Sequence, residues 1–317
     1  MEFLFGPVPS RRLGLSLGIN IVPYKTCSYN CVYCEVGRTT NLTIERKSFY
    51  NLEDIKREFV ENVGKLGRID YVTFSGSGEP TLNKDIGELI RFVKGRGFKT
   101  AVLTNGSLLY LDEVKDDLMQ ADVVIPSLDS AKKESFLKIN RPHRGLNLEK
   151  IIEGIRDFTR EFRGKVWLEV LFVKGVNDSK EDIKALVEAI ATIRPSRVQI
   201  GTVDRPPADE WVRKLSDREM MDIYTYMSAH LDVEVDLIGG FNKENDRFYE
   251  DVERAIVKLI NIRPCTEGDL KKIFGLDDVG LKGKLGKLFE KGEAFEYYFG
   301  GKRFIAGNRS MIEKRMV

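Results

Sequence analysis

A chain of 317 residues is longer than one average domain and fits an α/β barrel with a small appendage. Its 42% apolar content can fill a core, yet its longest apolar runs, such as Ala121–Pro126, are far too short to cross a bilayer. Four cysteines exclude a disulfide framework, the net charge is only +2, and the start MEFLFGPVPSRRLG lacks the pattern of a signal peptide; a reducing, cytoplasmic setting with no membrane partner is expected.

Short β-rich runs alternate with amphipathic stretches. Strands are predicted over Leu17–Val22, Ile69–Phe74, Lys99–Thr104, Asp122–Leu128, Lys165–Val173 and Arg197–Val203. After the first, Leu52, Ile55, Phe59, Val63 and Leu66 recur at helical spacing behind Asn51, a suitable N-cap. Leu146–Phe162, a helix opened by Ser179 and Asp182 and ending at Ile193, and Asp217–Leu231 continue the alternation. Six strand–helix units imply parallel strands with right-handed crossovers, as an open sheet or a partial barrel. Function should then gather at the C-terminal ends of the strands.

After Phe241 the rhythm changes. Asp251–Ile260, Thr266–Phe274 and Leu281–Lys291 read as helices, the second opened by Thr266 and Asp269 as a capping box. Phe295–Phe299 and Lys302–Ile305 flank Gly300-Gly301 as a hairpin. Three helices followed by a hairpin is the order of a winged helix, which sets domains at 1–245 and 246–317. From Asp251 on there are 14 Lys and Arg against 10 Asp and Glu, whereas the remainder holds 37 against 39. A mildly basic tail thus follows a slightly acidic body.

Three of the four cysteines crowd into YKTCSYNCVYC at C-x3-C-x2-C spacing, directly after the first strand. Thiolates this close point to one metal centre. A structural zinc ion needs a fourth ligand, for which Cys265, His143 and His230 are the remote candidates. A 4Fe–4S cluster held by three thiolates instead leaves one iron open to a substrate or cofactor.

The cysteine motif, with Tyr33 just before its third cysteine, resembles the signature of the radical S-adenosylmethionine superfamily. SGSGEP after the second strand, LTNGS after the third and PSLDS after the fourth extend the resemblance over roughly Phe5–Val203. It is most similar to the stand-alone branch related to wyosine-base synthases, through GPVPSRRLG, INIVPYKTCSYNCVYC and TVDRPP. The second-cluster cysteines of those synthases are absent, so their reaction does not carry over. The resemblance implies a partial (β/α)6 barrel with a small winged-helix-like C-terminal domain. It implies that Cys27, Cys31 and Cys34 hold a 4Fe–4S cluster whose electron splits S-adenosylmethionine into methionine and a 5′-deoxyadenosyl radical. Tyr33, Gly78, Glu79, Asn105, Ser107, Ser127 and Asp129 would bind S-adenosylmethionine. With no flavodoxin-like segment in the chain, an external donor of flavodoxin or ferredoxin type is expected.

Substrate-side candidates are Arg11, Arg12, Asp204 and Arg205, expected to flank the mouth, with His143 and Arg144 in NRPHRG and Glu169 on the fifth strand. Lys284, Lys287 and Lys291 line one side of the third tail helix and could meet a nucleic acid. The leading expectation is a radical enzyme acting on tRNA. The alternatives are the same chemistry on a peptide, partner protein or small molecule, and a non-catalytic metal-binding regulator.

Overall fold

The computed structural model describes residues 2–10, 12–238 and 252–307, without the side chains of Arg254, Lys258 and Ile262. β1 (Leu4–Ser10) and β2 (Gly14–Ile19) form an antiparallel hairpin. β3 (Thr26–Cys27) and β4 (Asn41–Leu42) are a short parallel pair within the cysteine loop. β5 (Tyr71–Phe74), β6 (Thr100–Thr104), β7 (Val123–Pro126), β8 (Lys165–Phe172), β9 (Arg197–Thr202) and β10 (Val235–Leu237) then extend the sheet from β2 in chain order. Every neighbouring pair from β2 onward is parallel.

Parallel neighbours require crossovers, and helices supply them. They are α1 (Leu52–Val63), α2 (Ile86–Lys94), α3 (Asp112–Leu118), α4 (Lys133–Ile139), α5 (Leu148–Glu161), α6 (Lys180–Ile193) and α7 (Asp217–His230). Asn51 caps α1 through the amide of Glu53, and Ser179 caps α6 through that of Asp182.

Successive strand residues face opposite sides. Leu17, Val72, Phe74, Val102, Val124, Leu168, Val170, Val198 and Ile200 pack against the helices in the main core. Ala101, Val123 and Ile125, with Tyr71, Leu103 and Trp167, form a separate cluster closed by Leu13. This second cluster lines the other face of the sheet.

Among the described residues, the main sheet thus holds the six expected strands and two more, β1 and β10. β1 escaped the sequence pattern because Pro7 and Pro9 interrupt it; it is an edge strand, where a missing amide breaks no ladder. β10 has only three residues. The domain boundary expected at 245/246 lies outside the described residues.

The tail comprises α8 (Val252–Ile262), β11 (Cys265–Thr266), α9 (Glu267–Phe274), α10 (Asp278–Glu290), β12 (Phe295–Phe299) and β13 (Lys302–Ala306). Its antiparallel sheet runs β11-β13-β12. Thr266 and Asp269 make the expected capping box. Gly300 and Gly301 take φ of 55° and 73°, the left-handed pair that a tight two-residue hairpin turn demands. Val8 of β1 joins the tail core of Ile256, Leu259, Ile260, Leu270, Leu281 and Leu285, so the tail shields the edge strand. At its far end, Phe299 at the hairpin turn packs on Val32, Val173, Val176, Val203 and Val212, among the loops at the strands' C-terminal ends.

Candidate active site

Cys27, Cys31 and Cys34 are free thiols, each half-buried, on the loop after β2. A nitrogen donor faces each sulfur. Asn105 Nδ2 lies 3.5 Å from Cys27 Sγ, Asn140 Nδ2 lies 3.5 Å from Cys31 Sγ, and Lys25 Nζ lies 3.1 Å from Cys34 Sγ. Burial pushes the Cys27 thiol up to about 12, helped by the nearby Glu79 charge, and raises the Cys31 thiol as well. Burial acts to lower the Lys25 pKa, but the sulfurs of Cys34, Cys27 and Cys31 outweigh it, and it stands above the ordinary lysine value. Lys25 is only 3% exposed, and its ammonium faces the Cys34 sulfur. A buried ammonium without an anion is costly. The pocket therefore fits thiolates carrying a metal centre.

Among the described residues, no three His, Cys, Asp or Glu side chains converge closely enough to hold one metal ion. Cys265 is sealed in the tail core and His230 stacks on Tyr226 at the end of α7. With the Lys25, Asn105 and Asn140 donors on their sulfurs, the three cysteines would fit the iron–sulfur cluster that the sequence resemblance implies.

SGSGEP holds the cysteine loop by its backbone. The Lys25 amide donates to Ser77 O at 2.8 Å, and the Glu79 amide donates to Thr26 O at 3.0 Å. A Cβ on Gly78 would drive into that same Thr26 carbonyl, far inside van der Waals contact. Asn20 fixes the other side of the motif, donating to Ser77 Oγ at 3.1 Å.

Glu79, expected to meet the amino group of S-adenosylmethionine, is turned into the protein. It is 2% exposed and accepts from the Thr81 amide and hydroxyl, the Thr104 hydroxyl and the Asn105 amide. Burial raises its pKa and the four donors offset part of that rise. Glu79 ties the ends of β5 and β6 together. Ser107 is likewise buried, 2.7 Å from the Ser28 hydroxyl, while Asn105 donates to Ser28 Oγ at 2.8 Å. Both residues brace the cysteine loop.

Asp129, expected near the ribose, is also buried and bonded within the protein. Its carboxylate accepts from Tyr33 Oη at 2.5 Å, Asn140 Nδ2 at 2.7 Å and the Leu171 amide at 3.0 Å. Burial pushes its pKa up to about 6 against those donors. Asn140 thus bridges Asp129 and Cys31. The Asn140–His143 segment runs along the cysteine loop, with the Asn30 amide on Asn140 O and the His143 amide on Ser28 O. Ser127 is half-buried and forms a parallel bridge with Glu169.

Of the substrate-side candidates, Arg11 lies outside the described residues. Arg12 is not at the mouth: the β1–β2 turn precedes β2 and so sits at the opposite end. Its guanidinium pairs with Glu169 at 2.9 Å, which brings those two candidates together. Arg205 is buried, ion-paired to Glu35 at 2.7 Å and donating to Pro264 O at 3.0 Å. It joins the cysteine loop to the tail. Asp204 and Arg144 are exposed; His143 is half-buried and accepts from the Gly145 amide. Lys284 and Lys287 both approach Glu253, at 4.0 and 3.2 Å, and Lys291 ends α10, exposed.

Lys25, Ser28 and Asn140 carry no spacing signal, which is why sequence reasoning passed over them.

Residues 21–190 match the family model described as the Radical SAM superfamily. The chain is 33% identical over 319 residues to the UPF0026 protein MJ1312 of Methanocaldococcus jannaschii, covering 100% of this chain and 99% of that one. It is 38% identical over 299 residues to a Brachyspira hyodysenteriae protein named GTPase Obg. That match covers 94% of this chain but 44% of the relative, so the chain spans less than half of it. A solved structure of TYW1 with a lysine–pyruvate adduct bound aligns with a TM-score of 0.52 at 18% identity, over 71% of this chain and 76% of that one. That is a likeness of fold.

Proposed function

Because the chain belongs to the radical SAM superfamily, we propose that it is an enzyme that cleaves S-adenosylmethionine reductively and modifies a substrate by hydrogen abstraction. The observation that carries this reading is the trio of half-buried free thiols, each met by a nitrogen donor, on a loop fastened by SGSGEP. When bound, a 4Fe–4S cluster supplies the electron that splits S-adenosylmethionine. The chain's own part is to hold the cluster on Cys27, Cys31 and Cys34, to fix the loop through Ser77, Gly78, Asn105 and Asn140, and to limit water access. The electron comes from outside the chain, from a flavodoxin- or ferredoxin-type donor. Anaerobic reconstitution with iron and sulfide should give about four irons per chain. A Cys27→Ala, Cys31→Ala, Cys34→Ala variant should give none; equal uptake by both would remove the site assignment.

We read the tail as winged-helix-like, and its element order with exposed Lys287 and Lys291 supports an RNA substrate, tRNA in particular. Full-length protein should bind tRNA with a steep salt dependence, and Lys284→Glu with Lys287→Glu should weaken binding roughly tenfold at low salt. The position of Phe299 favours a second reading. With the hairpin turn packed against the loops at the mouth, the tail serves as a cover, and the substrate is a peptide, a partner protein or a small molecule. Indifference to RNA at every salt concentration would hand the tail to this second reading.

No helix among the described residues is long and apolar enough to cross a membrane.

A further inference from the structure

We propose that Lys25 is a positioning residue that sets how readily the iron–sulfur centre on Cys27, Cys31 and Cys34 accepts its electron, a role that rests on the cluster reading above. The ammonium is 3.1 Å from Cys34 Sγ, inside a side chain that is almost wholly buried. It is held there by the backbone. Lys25 takes the left-handed conformation at φ 55°, uncommon for a residue with a side chain. Its amide donates to Ser77 O at 2.8 Å, and its carbonyl accepts from the Thr40 and Asn41 amides at 3.2 and 3.1 Å. Three hydrogen bonds thus over-determine a strained residue, and such strain persists where function needs it.

The electrostatics follow from charge counting. Three thiolates on a doubly positive cluster core leave one net negative charge, and accepting one electron makes it two. A fixed cation at the sulfur stabilises the reduced state more than the oxidised one, and burial limits the screening that would erase the difference. Asn105 and Asn140 donate to the other two sulfurs but are neutral. Lys25 alone of the three donors brings a full charge. The one-electron step needs a low-potential reductant, for which dithionite serves in the test.

The experiment compares full-length wild type with Lys25→Met, Lys25→Gln and Lys25→Arg. Each is reconstituted anaerobically, its iron and sulfide are counted, and its midpoint potential is measured by dithionite titration followed by electron paramagnetic resonance, without S-adenosylmethionine. Lys25→Met and Lys25→Gln should each shift the oxidised-to-reduced ratio at least tenfold towards oxidised, a fall of about 59 mV for a one-electron couple. Lys25→Arg should stay with the wild type. Unchanged midpoints in Met and Gln would overturn the proposal. So would loss of iron in both with retention in Arg, because the cation would then be needed to hold the cluster rather than to tune it. Failure of the wild type itself to take up a cluster would bring down the functional reading, and iron counting separates that outcome from the others.

Discussion

Gly78→Ala should fold and yet hold little iron. The glycine's φ is unexceptional; what it lacks is room. An added Cβ would meet the Thr26 carbonyl, which is backbone, and the Val22 side chain. Thr26 O already accepts from the Glu79 amide, so the cysteine loop and SGSGEP cannot separate without losing that bond. The chain must shift where Cys27 begins. Overpacking of this kind costs about 1–3 kcal/mol, which a domain of this size survives. A displacement at the first ligand is harder to absorb, since cluster ligation tolerates little error in sulfur position. Iron content after reconstitution should fall roughly tenfold, with a far-ultraviolet spectrum like that of the wild type. Gly64→Ala is the control: Gly64 ends α1 in a helical conformation with open space around it, and its iron content should not change. Full iron in Gly78→Ala would mean that the motif does not fix the loop.

Removing the Asp129 carboxylate should loosen the Cys31 side of the site. Asp129→Ala leaves the Tyr33 hydroxyl, one Asn140 donor and the Leu171 amide without their acceptor, at about 3 kcal/mol or more. The same residue gives a pH signature in protein without iron. Its folded pKa of about 6 lies above the unfolded value near ~4, so between these pH values the folded state holds the proton that the unfolded state has lost. Stability from this group is complete below the unfolded value and is lost as pH rises through the folded one. Urea midpoints should show wild type losing on the order of 2 kcal/mol from pH 4 to pH 7 relative to Asp129→Asn. Parallel profiles would show that Asp129 is already ionised at the lower pH.

What could be read from residue order was what local chemistry dictates. The caps at Asn51, Ser179 and Thr266 announce their helices because each side chain serves an amide two or three residues on. The six expected parallel strands announce themselves by apolar runs, and Gly300-Gly301 by its turn. β1 stayed hidden because Pro7 and Pro9 are tolerated only at an edge, and edge status belongs to the whole sheet. The three cysteines were legible because one loop carries them all. Their surroundings were not. Asn105 meets Ser28 across 77 positions, and Asn140 meets Cys31 across 109. Glu79 and Asp129 sit where carboxylates for the cofactor were expected, but their burial and the donors that surround them could not be read from the sequence. Arg205 likewise became a link between the cysteine loop and the tail, because its partner Glu35 follows the last cysteine.

The most direct test of the radical chemistry is to reduce the anaerobically reconstituted protein, add S-adenosylmethionine, and look for 5′-deoxyadenosine by mass spectrometry. Wild type should form it, and the Cys27→Ala, Cys31→Ala, Cys34→Ala variant should not. A fully loaded, reducible cluster that yields no 5′-deoxyadenosine would contradict the account and make the chain a non-catalytic metal-binding regulator.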